Sequence, residues 1–495
     1  MDTARIAGRR LSFCGCGAPG PVAFSARQGR FVAESLPTHA DDAILMPPLV
    51  NAHDHARGVR PTALGAFDMP LELWLTAMTG TPRCDPFKVV AAALGRQAEG
   101  GCGAVMIHYT RPQDAARVPE ELRIAAQAAA AVGIRVAIAP ALRDRNALGY
   151  TADEAVLARL PGPARAAMRA RLLTQPPASP DEQIRLVDEL ADAIGNEMVE
   201  VQYGPYGLEW CSDALLEGVA ARSAMNGRRV HMHLLETRIQ REYLDACHPD
   251  GGPVRHLDRL GLLSPRLSVA HGAWLRPDEM ELLAERGVTV AVNSSSNLAL
   301  RHGRVSMTEL ARRGVPIAMG LDGFTLDDDD DAFRELRLNW RLEGGTWSER
   351  GLGPAALLDI ACHGGRQAVL GDRLETALTE GAPADALVLD RRRLMADVVV
   401  PVADADIVAQ RATRAVVQGL WVAGREVVRD GRLATLDLPA LQAELDAEVR
   451  RGAEGFAAWR QVTDAWRDVL ARAYGAGLHR RGDAPWPAET DDTAA

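Results

Sequence analysis

Eight short runs rich in valine, isoleucine and alanine punctuate the chain, with helical patterns between them. They are AILMPPLVNAHDH (43–55), GAVMIHYT (103–110), IRVAIAPAL (134–142), MVEVQYGP (198–205), RRVHMHLLE (228–236), LSVAHG (267–272), VTVAVNSS (288–295) and VPIAMGLDG (315–323). Amphipathic segments such as ALLEGVAARSAMNG and PDEMELLAERG separate them, the second opened by proline and closed by glycine. Strand and helix in alternation imply parallel strands joined by crossover helices. Eight such units in 495 residues suit a closed (β/α)8 TIM barrel, an α/β fold, better than an open sheet.

Residues 48–375 are assigned to this barrel. Residues 1–47 and 376–436 alternate glycine with apolar residues and read as antiparallel strands with tight turns. They predict one small β-sandwich domain built from both chain ends. A helical pattern follows over 437–480, and 481–495 (GDAPWPAETDDTAA and the arginine before it) reads as a disordered tail. The connection between runs three and four is long, with an inserted helix and a proline-rich loop.

A net charge of −10 argues against a nucleic-acid partner. No apolar run approaches the ~20 residues that span a bilayer. The opening MDTARIAGRRLSF lacks the apolar core of a signal peptide, so a cytoplasmic location is expected. Seven scattered cysteines do not suggest a disulfide framework. A homodimer is expected on general grounds.

Chemistry-bearing residues gather at the ends of the runs, where βα-barrels build their sites. His53 and His55 end run one, His233 and Glu236 run five, His271 run six and Asp322 run eight. Histidines two apart on a strand share a face, which holds for His53 and His55 and equally for His231 and His233. The stretch VHMHLLET does not by itself say which of the latter pair is a ligand. Three imidazoles and a carboxylate suit a divalent metal with a position left for water.

These motifs carry a resemblance. PPLVNAHDH, HLLET, VAHGAWL and GLDG, with NSSSNLAL and the C-terminal GAPADALVLD, resemble the amidohydrolase superfamily over nearly the whole chain. The similar branch holds cytosine, guanine and adenosine-type deaminases and triazine hydrolases. The resemblance implies His53, His55, His233 and Asp322 as metal ligands and Glu236 as proton shuttle. It implies His271 as the hydrogen-bonding residue beside the water, and places His231 one layer deeper. Related branches bridge two metals with a lysine on strand four. Here the single lysine, Lys88, precedes strand two, and strand four offers Glu200 and Gln202. One divalent ion follows, zinc first, with iron compatible with the same donors. The end of strand seven, Asn293-Ser294-Ser295, departs from the branch.

Arg57, Trp74, His108, Gln202, Tyr203 and Asn297 are the substrate-binding candidates, and Tyr109 and Arg143 also sit at strand ends. Asp54 reads as structural, and Asp327 to Asp331 as a solvated helix N-terminus. Gly15 to Gly20 satisfies GxGxxG but reads as a turn, because no helix follows. His302 and His363 carry no partner signal. The function expected is hydrolytic deamination of a purine-, pterin-, pyrimidine- or triazine-like heterocycle by a metal-bound hydroxide, with water and a small heterocyclic molecule as substrates and neither nucleic acid nor membrane as a partner. The alternatives are hydrolysis of a cyclic amide such as an imidazolone or hydantoin, or of a ring C–Cl or C–S bond. A scaffold of this fold without catalysis is the rival of another class.

Overall fold

The computed structural model describes residues 5–487, apart from 12, 14, 15, 17, 175, 324, 346–350, 375 and 376. Gly15 and Gly17 of the Gly15–Gly20 turn and residues 488–495 of the expected tail lie outside the described residues.

The barrel strands are Leu49–Asp54, Cys102–Tyr109, Arg135–Leu142, Val199–Val201, Val230–Leu234, Leu267–His271, Thr289–Val292 and Ile317–Met319. The first four pair in parallel succession, as do the last four. Two seams close the ring. Tyr203 bridges to Val230 in parallel, and the N–H groups of Leu321 and Asp322 donate to the His53 carbonyl at 3.2 and 2.8 Å.

The barrel interior is built from small side chains. Val50, Ala52, Ala104, Met106, Ala137, Ala139, Ala291 and Ala318 form a buried cluster with Ala368 and Val369. The last two belong to the helix Gly365–Leu370, which plugs the end of the barrel opposite the site. Alanine-lined walls leave room for that helix, and Gly365 meets Val50 so closely that a Cβ would lie 2.7 Å from its Cβ.

Run one is two strands. Ala43–Met46 joins the small sheet and Leu49–Asp54 joins the barrel. Pro47 and Pro48 separate them, since neither has an N–H to extend a ladder. The small sheet has eight strands from both chain ends: Ile6–Arg10, Gly20–Arg27, Arg30–Ala33, Ala43–Met46, Ala386–Asp390, Val417–Val422, Arg425–Arg429 and Arg432–Leu433. Its pairs are antiparallel except one, because Ile6–Arg10 runs parallel to Ala43–Met46. The sheet curls so that Phe31 exchanges hydrogen bonds with Gly381 and Ala382 at 2.9 Å each.

The long connection forms helices Asp153–Leu157 and Gly162–Leu172 before the crossover helix Pro180–Ile194, which Ser179 and Glu182 start with a capping box. The C-terminal helix Ala453–Gly475 packs on this insertion. Trp466 Nε1 donates to the Leu148 carbonyl at 3.0 Å, and the Tyr150 N–H to Tyr474 Oη at 3.0 Å. The tail is packed further than expected. Trp486 is buried under the Arg159 guanidinium, and Asp483 accepts from Tyr243 Oη at 2.7 Å. Among the described residues, no helix is long and apolar enough to cross a membrane.

Candidate metal centre

The site begins with a flaw in strand one. Between Asn51 and Asp54 the strand carries one residue more than its partner, which advances only from Val105 to Ile107. Such a bulge resets the alternation of faces. Val50 and Ala52 line the lower barrel, yet His53 and His55 also face inward, at the mouth. The outward positions are taken by Asn51 and Asp54, which bond one another at 2.8 Å. Asp54 also accepts the N–H groups of His55, Ala56 and Gly323, and burial pushes its carboxyl up to about 6.

Four side chains then converge. His55 Nε2 is 3.0 Å and His53 Nε2 3.5 Å from Asp322 Oδ1. The ring nitrogens of His53, His55 and His233 lie within 4.8 Å of one another, as do donor atoms of His53, His271 and Asp322. His55 Nδ1 donates to the His108 carbonyl at 2.7 Å and His233 Nδ1 to the Tyr206 carbonyl at 2.6 Å. Those bonds fix the tautomer and leave each Nε2 as a lone pair facing the cluster. Burial drives all three imidazoles toward the neutral form, His55 to about 4 and the others further. The Asp322 carboxyl is held well below the usual range: burial pushes it up, but the adjoining His53 and His55 rings and the Arg57 charge outweigh it. His53 Nε2 and Asp322 Oδ1 are buried without a hydrogen-bond partner. Neutral lone pairs and one anionic oxygen, orphaned and converging, are a donor set that a divalent cation fits.

His231 lies one layer deeper. Its Nε2 is 2.8 Å from His53 Nδ1 and its Nδ1 2.7 Å from Ser268 Oγ. Although His53, His108 and His231 also approach one another, two of those rings are already bonded together. His231 therefore orients His53.

Strand ends five and six carry the second half of the site. His271 and Asp322 both adopt left-handed backbone, φ 74° and 57°, a conformation that disfavours side chains and that turns these two out of their ladders into the mouth. Glu236 is held by the helix that follows it. Thr237 caps Arg238–Cys247 in a capping box with Gln240, whose Oε1 also accepts the Glu236 N–H at 2.7 Å. Burial raises the Glu236 carboxyl well above the usual range, and the Asp322, Glu209 and Glu72 charges raise it further. Glu236 Oε1 lies 3.3 Å from His271 Nε2 and 3.3 Å from His302 Nε2.

The other candidates divide. Arg57 is at the mouth, donating from Nη1 to the Asp322 carbonyl at 2.6 Å. His108 is fully buried and stacks on His233 with centroids 4.7 Å apart. Trp74 is not open to a ligand: it is 1% exposed, its Nε1 donates to the Ala66 carbonyl and Arg57 covers its ring. Gln202 points the wrong way along the barrel, its Nε2 donating to the Val369 carbonyl of the plug helix and to Glu200. Tyr203 faces outward, its hydroxyl on Asp188. Asn297 turns toward histidines, with Oδ1 2.9 Å from His271 Nδ1 and 3.2 Å from His302 Nδ1. Asn293 Nδ2 makes a longer contact of 3.3 Å to His271 Nδ1.

The aspartate run is not solvated throughout. Asp331 caps the helix Ala332–Leu342 and is fully buried, while Asp330 pairs with Arg96 at 2.7 Å. In the divergent strand-seven end, Ser294 and Ser295 bond Asn339 and Glu335 of that helix, and Ser296 Oγ donates to Asp322 Oδ2 at 2.5 Å.

Sequence reasoning missed His302, Tyr206 and the buried carboxylates Glu72 and Glu209. Tyr206 sits beside His233, its ring centroid 5.3 Å away and its face under Arg143. Its position just past Gly204-Pro205, where the strand-four path ends, was the available signal. Glu209 is 1% exposed, and burial pushes its carboxyl up to about 8. A cavity of about 370 Å³ opens among the loops after strands one, seven and eight, lined by Phe67, Leu298 and Leu326 among others.

A closed parallel barrel, a sheet from both chain ends and a buried imidazole–carboxylate cluster at the strand ends define a βα-barrel protein with a candidate metal site. The profile of the Amidohydrolase family matches residues 44–427, and the chain belongs to that family. It is 34% identical over 156 residues to a 5'-deoxyadenosine deaminase of Methanothermobacter thermautotrophicus, a match covering 32% of this chain and only 36% of that relative. A 5-methylthioadenosine/S-adenosylhomocysteine deaminase of Nitratidesulfovibrio vulgaris is 30% identical over 424 residues, 83% of this chain and 85% of the relative. Among solved structures, a zinc-bound adenosine deaminase from Xanthomonas campestris superimposes with a TM-score of 0.73 at 25% identity, covering 91% of this chain and 98% of that one.

Proposed function

We propose that this protein is a mononuclear zinc-dependent aminohydrolase that replaces the exocyclic amine of a nitrogen heterocycle, of the adenosine type, with a hydroxyl from water. The observation that carries the reading is the convergence of His53, His55, His233 and Asp322, with His53 Nε2 and Asp322 Oδ1 orphaned, beside the buried acid Glu236. The relatives' names support the amine as leaving group and the adenosine-type ring.

When bound, the ion would lower the pKa of a water from ~15.7 toward ~7 and so supply a nucleophile at neutral pH. His53, His55, His233 and Asp322 would hold it. Glu236 takes a proton from the attacking water and returns it to the ring nitrogen, a role its raised affinity for protons suits. Asp322 carries the second proton to the departing amine. His271 bonds the water from the other side. Arg57 braces the Asp322 backbone, and burial of His53, His233, Glu236, His271 and Asp322 keeps bulk water out. Per turnover one C–N bond breaks, one C–O bond forms and ammonia leaves.

The same reading takes one ion per chain, since Glu200 lies toward the plug helix rather than at the mouth, and a homodimer in the cytoplasm. The test is metal analysis of purified protein with ammonia release assayed across adenosine-type, pterin, pyrimidine and triazine substrates. One zinc per chain with ammonia from adenosine-type rings is expected. Protein without a bound divalent ion overturns the reading, and metal with turnover but no ammonia moves it to ring-amide, C–Cl or C–S hydrolysis.

A further inference from the structure

We propose that His302 is a positioning residue of this site: with His271 it flanks one oxygen of Glu236 and offers a lone pair to its proton, while Asn297 sets both rings. The inference rests on the hydrolytic reading above and assigns a residue outside its strand-end motifs.

Glu236 Oε1 stands between two imidazoles, 3.3 Å from each Nε2. On the far side, the single oxygen Asn297 Oδ1 faces both Nδ1 atoms at 2.9 and 3.2 Å. One acceptor facing two ring nitrogens requires an N–H on each, so both rings carry their proton on Nδ1 and present a lone pair at Nε2. The four groups form a closed diamond: one amide oxygen, two imidazoles and one carboxyl oxygen.

His302 is placed for this arrangement. It is fully buried. Its N–H donates to the Asn297 carbonyl at 2.8 Å and its carbonyl accepts from Trp274 Nε1 at 2.6 Å. Its ring meets His271 edge-on at 79°, centroids 5.4 Å apart. A buried imidazole that served only to fill space could be replaced by an apolar side chain, without two polar atoms to satisfy. Both ring nitrogens of His302 instead face groups of the site. A neutral Glu236 carboxyl has a single O–H, which Oε1 can donate to one of these two lone pairs; donation to His302 leaves His271 Nε2 for the water and keeps the other carboxyl oxygen turned toward the reacting groups.

The experiment uses zinc-loaded enzyme. His302→Phe and His302→Gln are compared with wild type for kcat, KM and zinc content, and the wild-type ring is read by 15N NMR, with the variants assigning its resonance. Expected are full zinc and KM within about twofold in both variants, kcat down about 10- to 100-fold in His302→Phe, and partial recovery in His302→Gln, whose amide can reach Glu236. The His302 resonance is expected as the neutral Nδ1–H tautomer. Zinc lost in step with kcat, or kcat within twofold of wild type in both variants, overturns the proposal. An Nε2–H tautomer also overturns it, by breaking the Asn297 arrangement. Should His302→Phe not fold, His302→Gln and the tautomer decide. Failure of the hydrolytic reading is recognised separately, as absence of ammonia release by wild type, while the tautomer measurement stands without any substrate.

Discussion

The two ends of the barrel hold similar polar side chains and treat them in opposite ways. At the plugged end, where a cavity of about 320 Å³ lies, opposite charges meet. Arg135 pairs with Asp385 at 2.7 Å, Arg366 reaches Asp385 and Asp372, and Arg229 lies 4.0 Å from Glu200. At the mouth the balance is absent. Glu72, Glu209 and Glu236 are buried with raised pKa values, and ring nitrogens of His53, His271 and His302 lack hydrogen-bond partners. Buried polar groups that satisfy one another stabilise a fold. Those left unsatisfied cost stability and are kept where a guest completes them.

That contrast can be broken from either end. The largest effect is expected at the mouth: His233→Ala or Asp322→Ala loses the zinc and with it all detectable ammonia release, read by metal analysis and assay. Retention of a full zinc complement by either variant would remove that residue from the ligand set. Next comes Glu236→Gln, which keeps the shape but not the proton. Its kcat should fall by about 10²- to 10⁴-fold at unchanged zinc content, and a smaller loss would place the shuttle elsewhere.

The plugged end should respond in stability alone. Asp385→Ala strands Arg135 and leaves Arg366 with Asp372 alone, and breaking a buried pair in this way costs about 3–5 kcal/mol. Denaturation by urea should show that loss while kcat per folded molecule is unchanged; a matching fall in kcat would mean that the two ends are coupled.

The smallest effect concerns pH. Glu209 holds its proton to about 8 in the folded protein against an ordinary value of 4.5. Its contribution is therefore fully present below about 4.5 and is lost as pH rises toward 8. Glu209→Gln has no such slope, so its melting temperature should gain on wild type from pH 5 to pH 8 and then hold level. A constant difference across that interval would show that the folded carboxyl is not shifted.

How much of this was legible can be seen residue by residue. His53, His55, His233, His271 and Asp322 were found because ligand-type side chains ended successive strand-like runs, and strand ends share one rim of a barrel. The face argument for His53 and His55 reached a pair that does share the inward face, by an incomplete route. Period two alone would have put His53 opposite Ala52, and only the bulge lets both face inward. Tyr203 was chosen where Tyr206 belongs, and Gln202 was placed at the rim, because a run of apolar letters does not show where its ladder ends. Here the strand-four path runs on past Val201 to Gly204-Pro205, which pair with Ala141 and Leu142, so Gln202 lies a layer down. His302 sits beyond the short helix Ser294–Ala299 with no repeat or spacing to mark it.

The chain by itself determined the alternation of strand and helix, the order of the ligand-type residues along it and the membership of both ends in one sheet. These follow from local periodicity and turn chemistry, which each segment carries within itself. Tertiary structure alone decided which polar groups meet: the bulge that turns His53 inward, the carbonyls that fix the ring tautomers, and the meeting of Glu236 with His302 across 66 positions of chain. Such contacts depend on the register and closure of the ring, and closure joins residues whose separation in sequence says nothing of their distance in space.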